Sequence, residues 1–123
     1  WTHRSTRGGK GCRETWMIEN ISSLYRADWF DSIGRFGPEL KYAWGIDLET
    51  CWLARMQGRS LWVCEDAVVR KVTNIGYSMN RMGMSAQMRQ ALASQNMVSV
   101  LERKYGKGGY IRTKTEFIDE RML

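Results

Sequence analysis

Apolar and polar positions alternate with two different periods along this chain, and the longest period is helical. Residues 85–104 carry an apolar stripe of Met88, Ala91, Leu92, Val98, Leu101 and Tyr105. Ser85 is placed to accept a hydrogen bond as N-cap, and Gly106 ends the helix. Gly108 and Gly109 then read as a flexible joint, and residues 115–122 as one last helical turn or two. A second helix is expected over 46–57. Leu48, Cys51, Trp52 and Met56 lie near one face, and Gly58 is its stop. A short helix capped by Asp28 is expected to reach Gly34, with Trp29, Phe30 and Ile33 on one side. Gly34, Gly37 and Pro38 mark the turn that follows. Strand signals are short. Residues 17–25 suit one or two strands, 61–64 another, and 67–72 a third, with Glu65 and Asp66 as the intervening turn. The order is α/β or α+β in character, with too few strands for a complete doubly wound sheet. Three parts are expected: a flexible basic start over 1–13, a single domain over 14–105, and a tail over 106–123 with a short helix.

Composition narrows this picture. The chain has 123 residues, 43% of them hydrophobic, with six Trp and eight Met. That is globular rather than disordered. The formal charge of +6 suits anionic partners without choosing among nucleic acid, acidic lipid and nucleotide phosphate. Cations gather at the start (Arg4, Arg7, Lys10, Arg13) and near the end (Arg103, Lys104, Lys107, Arg112, Lys114). Solvated basic ends account for them equally well. The cysteines, Cys12, Cys51 and Cys64, are odd in number and form no Cys-x-x-Cys pair. Reduced thiols and a cytoplasmic location are expected, with peripheral membrane contact through basic residues left open. No apolar run approaches a membrane span, and no signal peptide is readable.

Familiar catalytic sets are scarce. His3 is the only histidine, which argues against a Ser-His-Asp device or a zinc site. Gly8-Gly9-Lys10-Gly11 follows no strand and lacks a Gly-Lys-Ser/Thr ending, so it does not read as a phosphate loop. The informative segment is Trp44-Gly45-Ile46-Asp47-Leu48-Glu49. Gly45 permits a sharp turn or a close backbone approach. Asp47 falls in the first helical turn, where its charge is favoured by the helix dipole. A carboxylate there, beside a bulky aromatic, can act as a general base at a pocket rim. An ordinary acidic helix start with Trp44 in the core explains the same residues.

The wider order of parts adds a second argument. Residues 14–36 run from a strand through a short helix to the Gly34-x-Phe36 turn. The Trp44-Gly45-Ile46-Asp47 box follows, and its helix ends in Arg55-Met56-Gln57-Gly58. Over roughly residues 14–78 this resembles the acceptor-side, C-terminal half of family-2-like GT-A glycosyltransferases. The resemblance implies a partial GT-A-like sheet of short strands with flanking helices. It also implies that Asp47 takes the proton from the acceptor hydroxyl in an inverting transfer. Trp44 would shape the acceptor site. Glu49 would orient the acceptor or stand at an exposed helix position. Glu19 and Asn20 would lie near the sugar. The partners implied are a nucleotide diphosphate sugar and a glycan acceptor, with Mg²⁺ or Mn²⁺ in the complete enzyme.

Two departures qualify the match. Ile46 replaces the first acid of the family's Gly-Glu-Asp box. Val68-Val69-Arg70-Lys71 lacks the usual metal-binding histidine, so Arg70 or Lys71 would stabilise the diphosphate as a fixed cation. Two edge-strand cations facing solvent are the other reading. No Asp-x-Asp metal motif occurs, so no metal ligand is assigned and the donor-binding half is expected upstream. A fragment of this kind would expose an edge, and a homodimer or partner chain is a reasonable expectation. The methionines Met79, Met82, Met84 and Met88 are expected to pack the long helix. The competing functional class is a non-enzymatic basic module for nucleic acid or a larger assembly. It would use Tyr105 and Tyr110 beside cations.

Overall fold

More and less exposed positions alternate through two four-residue segments far apart in sequence, and these two segments pair. The computed structural model describes residues 9–69 and 83–115. In chain order they form β1 (Cys12–Thr15), α1 (Ala27–Ser32), α2 (Ile46–Met56), β2 (Leu61–Cys64), α3 (Ala86–Tyr105) and α4 (Gly109–Thr115). The result is a two-stranded antiparallel sheet with four helices, in keeping with a mixed α/β class.

The ladder sets Cys12 opposite Cys64, Arg13 opposite Val63, Glu14 opposite Trp62 and Thr15 opposite Leu61. Cys12 and Cys64 form a disulfide. This corrects the expectation of three reduced thiols: the register places the two sulfurs directly across the ladder, 52 residues apart in sequence. Cys51 alone is free, and it is buried. Beyond the ladder, Glu65 N–H donates to Gly11 O and Gly11 N–H to Asp66 Oδ2, both at 2.8 Å. The Glu65 carboxylate receives Arg13 Nε at 2.9 Å. The Glu65-Asp66 turn thus holds the start of β1, not a third strand.

Strand positions depart from the expectation. No strand forms in 17–25, and β1 begins inside the segment whose composition reads as flexible. Residues 67–69 are not strand either, and Val68 is 89% exposed. The remainder of that expected strand, with Arg70 and Lys71, lies outside the described residues, as do Met79 and Met82. Short apolar runs do not reveal their partner, and here the partner of β2 comes from the other end of the chain.

Helices follow the sequence more closely. Ser85 caps α3, its Oγ accepting Met88 N–H at 3.1 Å, and Gly106 ends the helix with φ +79°. The buried face of α3 is Ala93, Met97, Val100 and Leu101, rotated from the expected stripe. Met88 is 56% exposed. Gly109 is not a joint but the first residue of α4. The Glu102 carboxylate accepts N–H groups from Gly108 (2.7 Å) and Tyr110 (3.1 Å), which fixes α4 against α3. Among the described residues, no helix is long and apolar enough to cross a membrane.

Two glycines are required by contact. Gly45 has φ +87°, and a Cβ there would stand 2.6 Å from Met97 Cγ. A Cβ on Gly109 would stand 2.5 Å from the Leu101 carbonyl oxygen. Gly58 shares the positive φ, at +67°, but has open space around it. Gly45→Ala is therefore expected to lose about 2 kcal/mol, and Gly58→Ala only about 1, because overpacking adds to backbone strain at the first site alone. Denaturant midpoints of the two variants check this, and equal losses would refute the close approach.

Candidate functional site

Helix α2 carries two chemically distinct faces because consecutive residues turn about 100°. Asp47, Thr50, Cys51 and Ala54 make one stripe, at i, i+3, i+4 and i+7. Gly45 is the residue before the helix, and its left-handed φ turns the chain so that Asp47 enters the first turn. Asp47 is half-buried, and its Oδ1 accepts Leu48 N–H at 3.0 Å. Its negative charge reaches Cys51 one turn on. Burial, more than that charge, pushes the Cys51 thiol up to about 11. The thiol is therefore neutral at physiological pH, and it is engaged with backbone. Sγ accepts Ile18 N–H at 3.3 Å and donates to Ile18 O at 3.7 Å. A structural role follows rather than a nucleophilic one.

The opposite face holds Glu49, about 200° from Asp47. Glu49 is 4% exposed. Lys104 Nζ and the Tyr105 hydroxyl both reach its Oε1 at 2.5 Å. Lys104 also lies 3.5 Å from Glu39 Oε1, so one ammonium joins two carboxylates. The Tyr105 ring packs edge-on against Trp52, with centroids 4.6 Å apart. Burial, then the bond to Glu49, raises the Tyr105 pKa above its ordinary value. For Lys104, burial lowers the pKa, but the two carboxylates outweigh it and the net shift is upward.

The stripe on the Asp47 side continues into a cleft of about 400 Å³ lined by Thr50, Cys51 and Ala54 together with Leu24, Tyr25 and Trp62. Trp29 lines its floor. The Trp29 Nε1 donates to Gln57 Oε1 at 2.7 Å, and Arg59 sits 5.9 Å above its ring. Tyr25 stacks on Phe30 at 4.9 Å, and Phe36 meets both rings edge-on. The Gly34-x-Phe36 turn thereby buttresses one cleft wall. Below, the end of α2 is tied to the sheet: an Arg55 Nη2 donates to Thr15 O, and Nη1 lies 3.6 Å from Glu14.

Placed in this frame, the residues expected from sequence separate. Asp47 stands one turn beyond the cleft wall on the same stripe. Asn20 accepts the Tyr25 hydroxyl at 3.3 Å, and Glu19 follows Ile18, whose backbone meets Cys51. None of these three lines the cleft itself. Trp44 is 43% exposed and is not part of the cleft wall. Glu49 faces away, so the exposed position considered for it does not hold, and its carboxylate serves the α2–α3 contact. Arg70 and Lys71 lie outside the described residues. The Tyr105 ring and hydroxyl are occupied within the fold, while Tyr110 lies under Lys114 at 5.8 Å. Sequence reasoning missed Tyr25, Arg59 and Trp62 as cleft residues. No spacing signal links positions 25 and 62, which only tertiary packing brings together. Among the described residues, no group of three or more His, Cys, Asp or Glu could hold a metal ion. Comparison with protein-family models, curated proteins and solved structures finds no match.

The Glu49 cluster has a definite pH signature. The folded pKa values of Lys104 and Tyr105 lie above their ordinary 10.5 and 10.0. Their contribution is therefore complete below those ordinary values and is lost as pH rises through the higher folded ones. Stability is expected to fall in alkali, with one of the five tyrosines ionising only as the chain unfolds. Phenolate absorbance followed against circular dichroism tests this. Five tyrosines ionising together before unfolding would contradict it. Glu49→Ala is expected to cost about 2 kcal/mol, less than a fully buried pair because Lys104 keeps some solvent contact.

Proposed function

We propose that this chain supplies the acceptor side of an inverting glycosyltransferase of the family-2-like GT-A type. The observation that carries the reading is Asp47 in the first turn of α2, introduced by a left-handed Gly45 and one helical turn from the cleft-lining Thr50 and Cys51. The ordering of Trp44-Gly45-Ile46-Asp47 between the Gly34-x-Phe36 turn and the Arg55-x-x-Gly58 helix end supports it. So does Asn20, which accepts the hydroxyl of the cleft-lining Tyr25.

In this reading Asp47 removes the proton from an acceptor hydroxyl. The freed oxygen attacks the anomeric carbon of a nucleotide diphosphate sugar. The bond from that carbon to the diphosphate breaks with inversion, and the nucleoside diphosphate leaves with the bonding electrons. The donor site belongs to sequence expected upstream, and activity would require it. Mg²⁺ or Mn²⁺ is expected with that donor half. The described residues offer no ligand set for it, so no step is routed through a metal here. Arg70 or Lys71 remains a proposed partner of the diphosphate.

The competing reading is a basic module for nucleic acid or for a larger assembly. Its basis is the charge of +6 and the cations Arg103, Lys107, Arg112 and Lys114 at the α3–α4 end. Binding with a steep salt dependence, insensitive to Asp47, would favour it.

The decisive measurement joins this chain to its natural upstream sequence and follows sugar transfer. Asp47→Asn is expected to lower turnover by about 100-fold or more while leaving the fold intact by circular dichroism. Retained turnover would remove Asp47 from the role of base.

A further inference from the structure

The rim of the cleft carries an unbalanced positive charge beside flat apolar walls. Arg26 Nη2 lies 2.7 Å from Asp28 Oδ2. Arg59, which also acts on the Asp28 carboxylate, rests on the Trp29 ring. Arg26 is ion-paired with that carboxylate, whereas Arg59 has no ion pair among the described residues. A guanidinium held over an aromatic ring by a cation–π contact keeps its N–H groups available to a planar or tetrahedral anion. The walls beside it are the rings of Tyr25 and Trp62, with the hydroxyl-bearing Ser23 and Ser60 at the margin. Trp62 is 53% exposed even though it is a large apolar ring. A cleft of this size, mostly apolar with a few polar groups, is of the kind that holds a small ligand.

From this arrangement we infer that the cleft binds a sugar ring bearing a phosphate or carboxylate. The ring lies against Trp62 and Tyr25, and the anion is taken by Arg59 and Arg26. The choice of a sugar rests on the proposed acceptor role. The anion rests on the charge at the rim. The ligand class fits the positive balance of the whole chain. The stripe along α2 gives the arrangement a direction. Thr50 and Cys51, which line the cleft, lie about 4.5–6 Å along the helix axis from Asp47.

The test is calorimetric titration of this chain with glucose 6-phosphate, glucuronate, glucose and inorganic phosphate, with tryptophan fluorescence as a second readout. Saturable binding of either anionic sugar is expected. Glucose 6-phosphate alone would identify phosphate as the preferred anion, and glucuronate alone the carboxylate. Arg59→Gln and Trp62→Ala should each weaken binding by about tenfold or more, since each removes one half of the recognition. Both positions are exposed, so both variants should fold, and circular dichroism checks that they do. Arg35→Gln, which removes an exposed cation paired with Asp31 outside the cleft, should leave affinity unchanged. Three results would overturn the inference: no saturable binding of either anionic sugar, glucose binding as tightly as its phosphate, or inorganic phosphate binding as tightly as the sugar phosphate. Because titration needs no donor half, its failure is distinct from failure of the transfer experiment on Asp47.

Discussion

The buried carboxylate of Glu49 is the constraint on which the arrangement of α2 depends. A charge almost removed from water is tolerated only with close partners and hydrogen bonds. Glu49 takes both from one turn of α3, through Lys104 and Tyr105. Lys104 extends the contact to Glu39, and Asn96 of α3 holds the backbone on either side of Leu40. Its Nδ2 donates to Glu39 O at 3.2 Å, and its Oδ1 accepts Lys41 N–H at 3.1 Å. The segment leading into the Trp44-Gly45 turn is therefore fastened to the same helix as α2 itself. This explains why Gly45 can approach Met97 so closely, and why a side chain at that position has no room.

A second anchor fixes the far end of α2. Arg55 reaches the carbonyl of Thr15, Gln57 receives the indole N–H of Trp29, and the Cys12–Cys64 disulfide ties the two strands beneath. Between the two anchors, Cys51 exchanges hydrogen bonds with the Ile18 backbone. The helix thus divides its labour by face. One side spends its polar groups on holding α3, and the other presents Asp47 and the cleft wall. Placing Glu49 and Asp47 two residues apart is what allows one carboxylate to be structural while the other stays half-exposed.

How much of this was legible in the sequence follows from which interactions are local. The caps and stops of α2 and α3 depend on Gly45, Ser85 and Gly106, whose effects act within a turn, and both helices stand within a residue or two of their expected limits. The buried face of α3 was misjudged because hydrophobicity alone favours Met88 and Leu92. The actual face is selected by what packs on it, namely Gly45 against Met97 and Gly109 against Leu101. The strands were the least legible. β1 is a polar tetrapeptide, Cys-Arg-Glu-Thr, whose strand character comes from pairing with β2 and from the disulfide. Nothing nearby in sequence announces either. Asp47 could be singled out as a candidate because a helix start has a local signature, whereas Tyr25, Arg59 and Trp62 converge only through the fold.

The division of α2 into two faces also bears on what an Asp47 carboxylate can do. A general base must be reachable by its substrate, and Asp47 is half-buried in the first turn of α2. Glu49 does not meet that need, because Lys104 and Tyr105 already occupy its oxygen. Cys51 lies close to Asp47, but its thiol is held neutral by burial and adds no charge to the stripe. The cleft-lining cations are Arg26 and Arg59, neither of them on α2. A ligand with its anion there and a hydroxyl toward α2 would keep its negative charge away from Asp47, so attraction at one end need not oppose proton transfer at the other. The cleft cations and the α2 carboxylate would then act on different parts of one ligand, which is what the proposed single site requires.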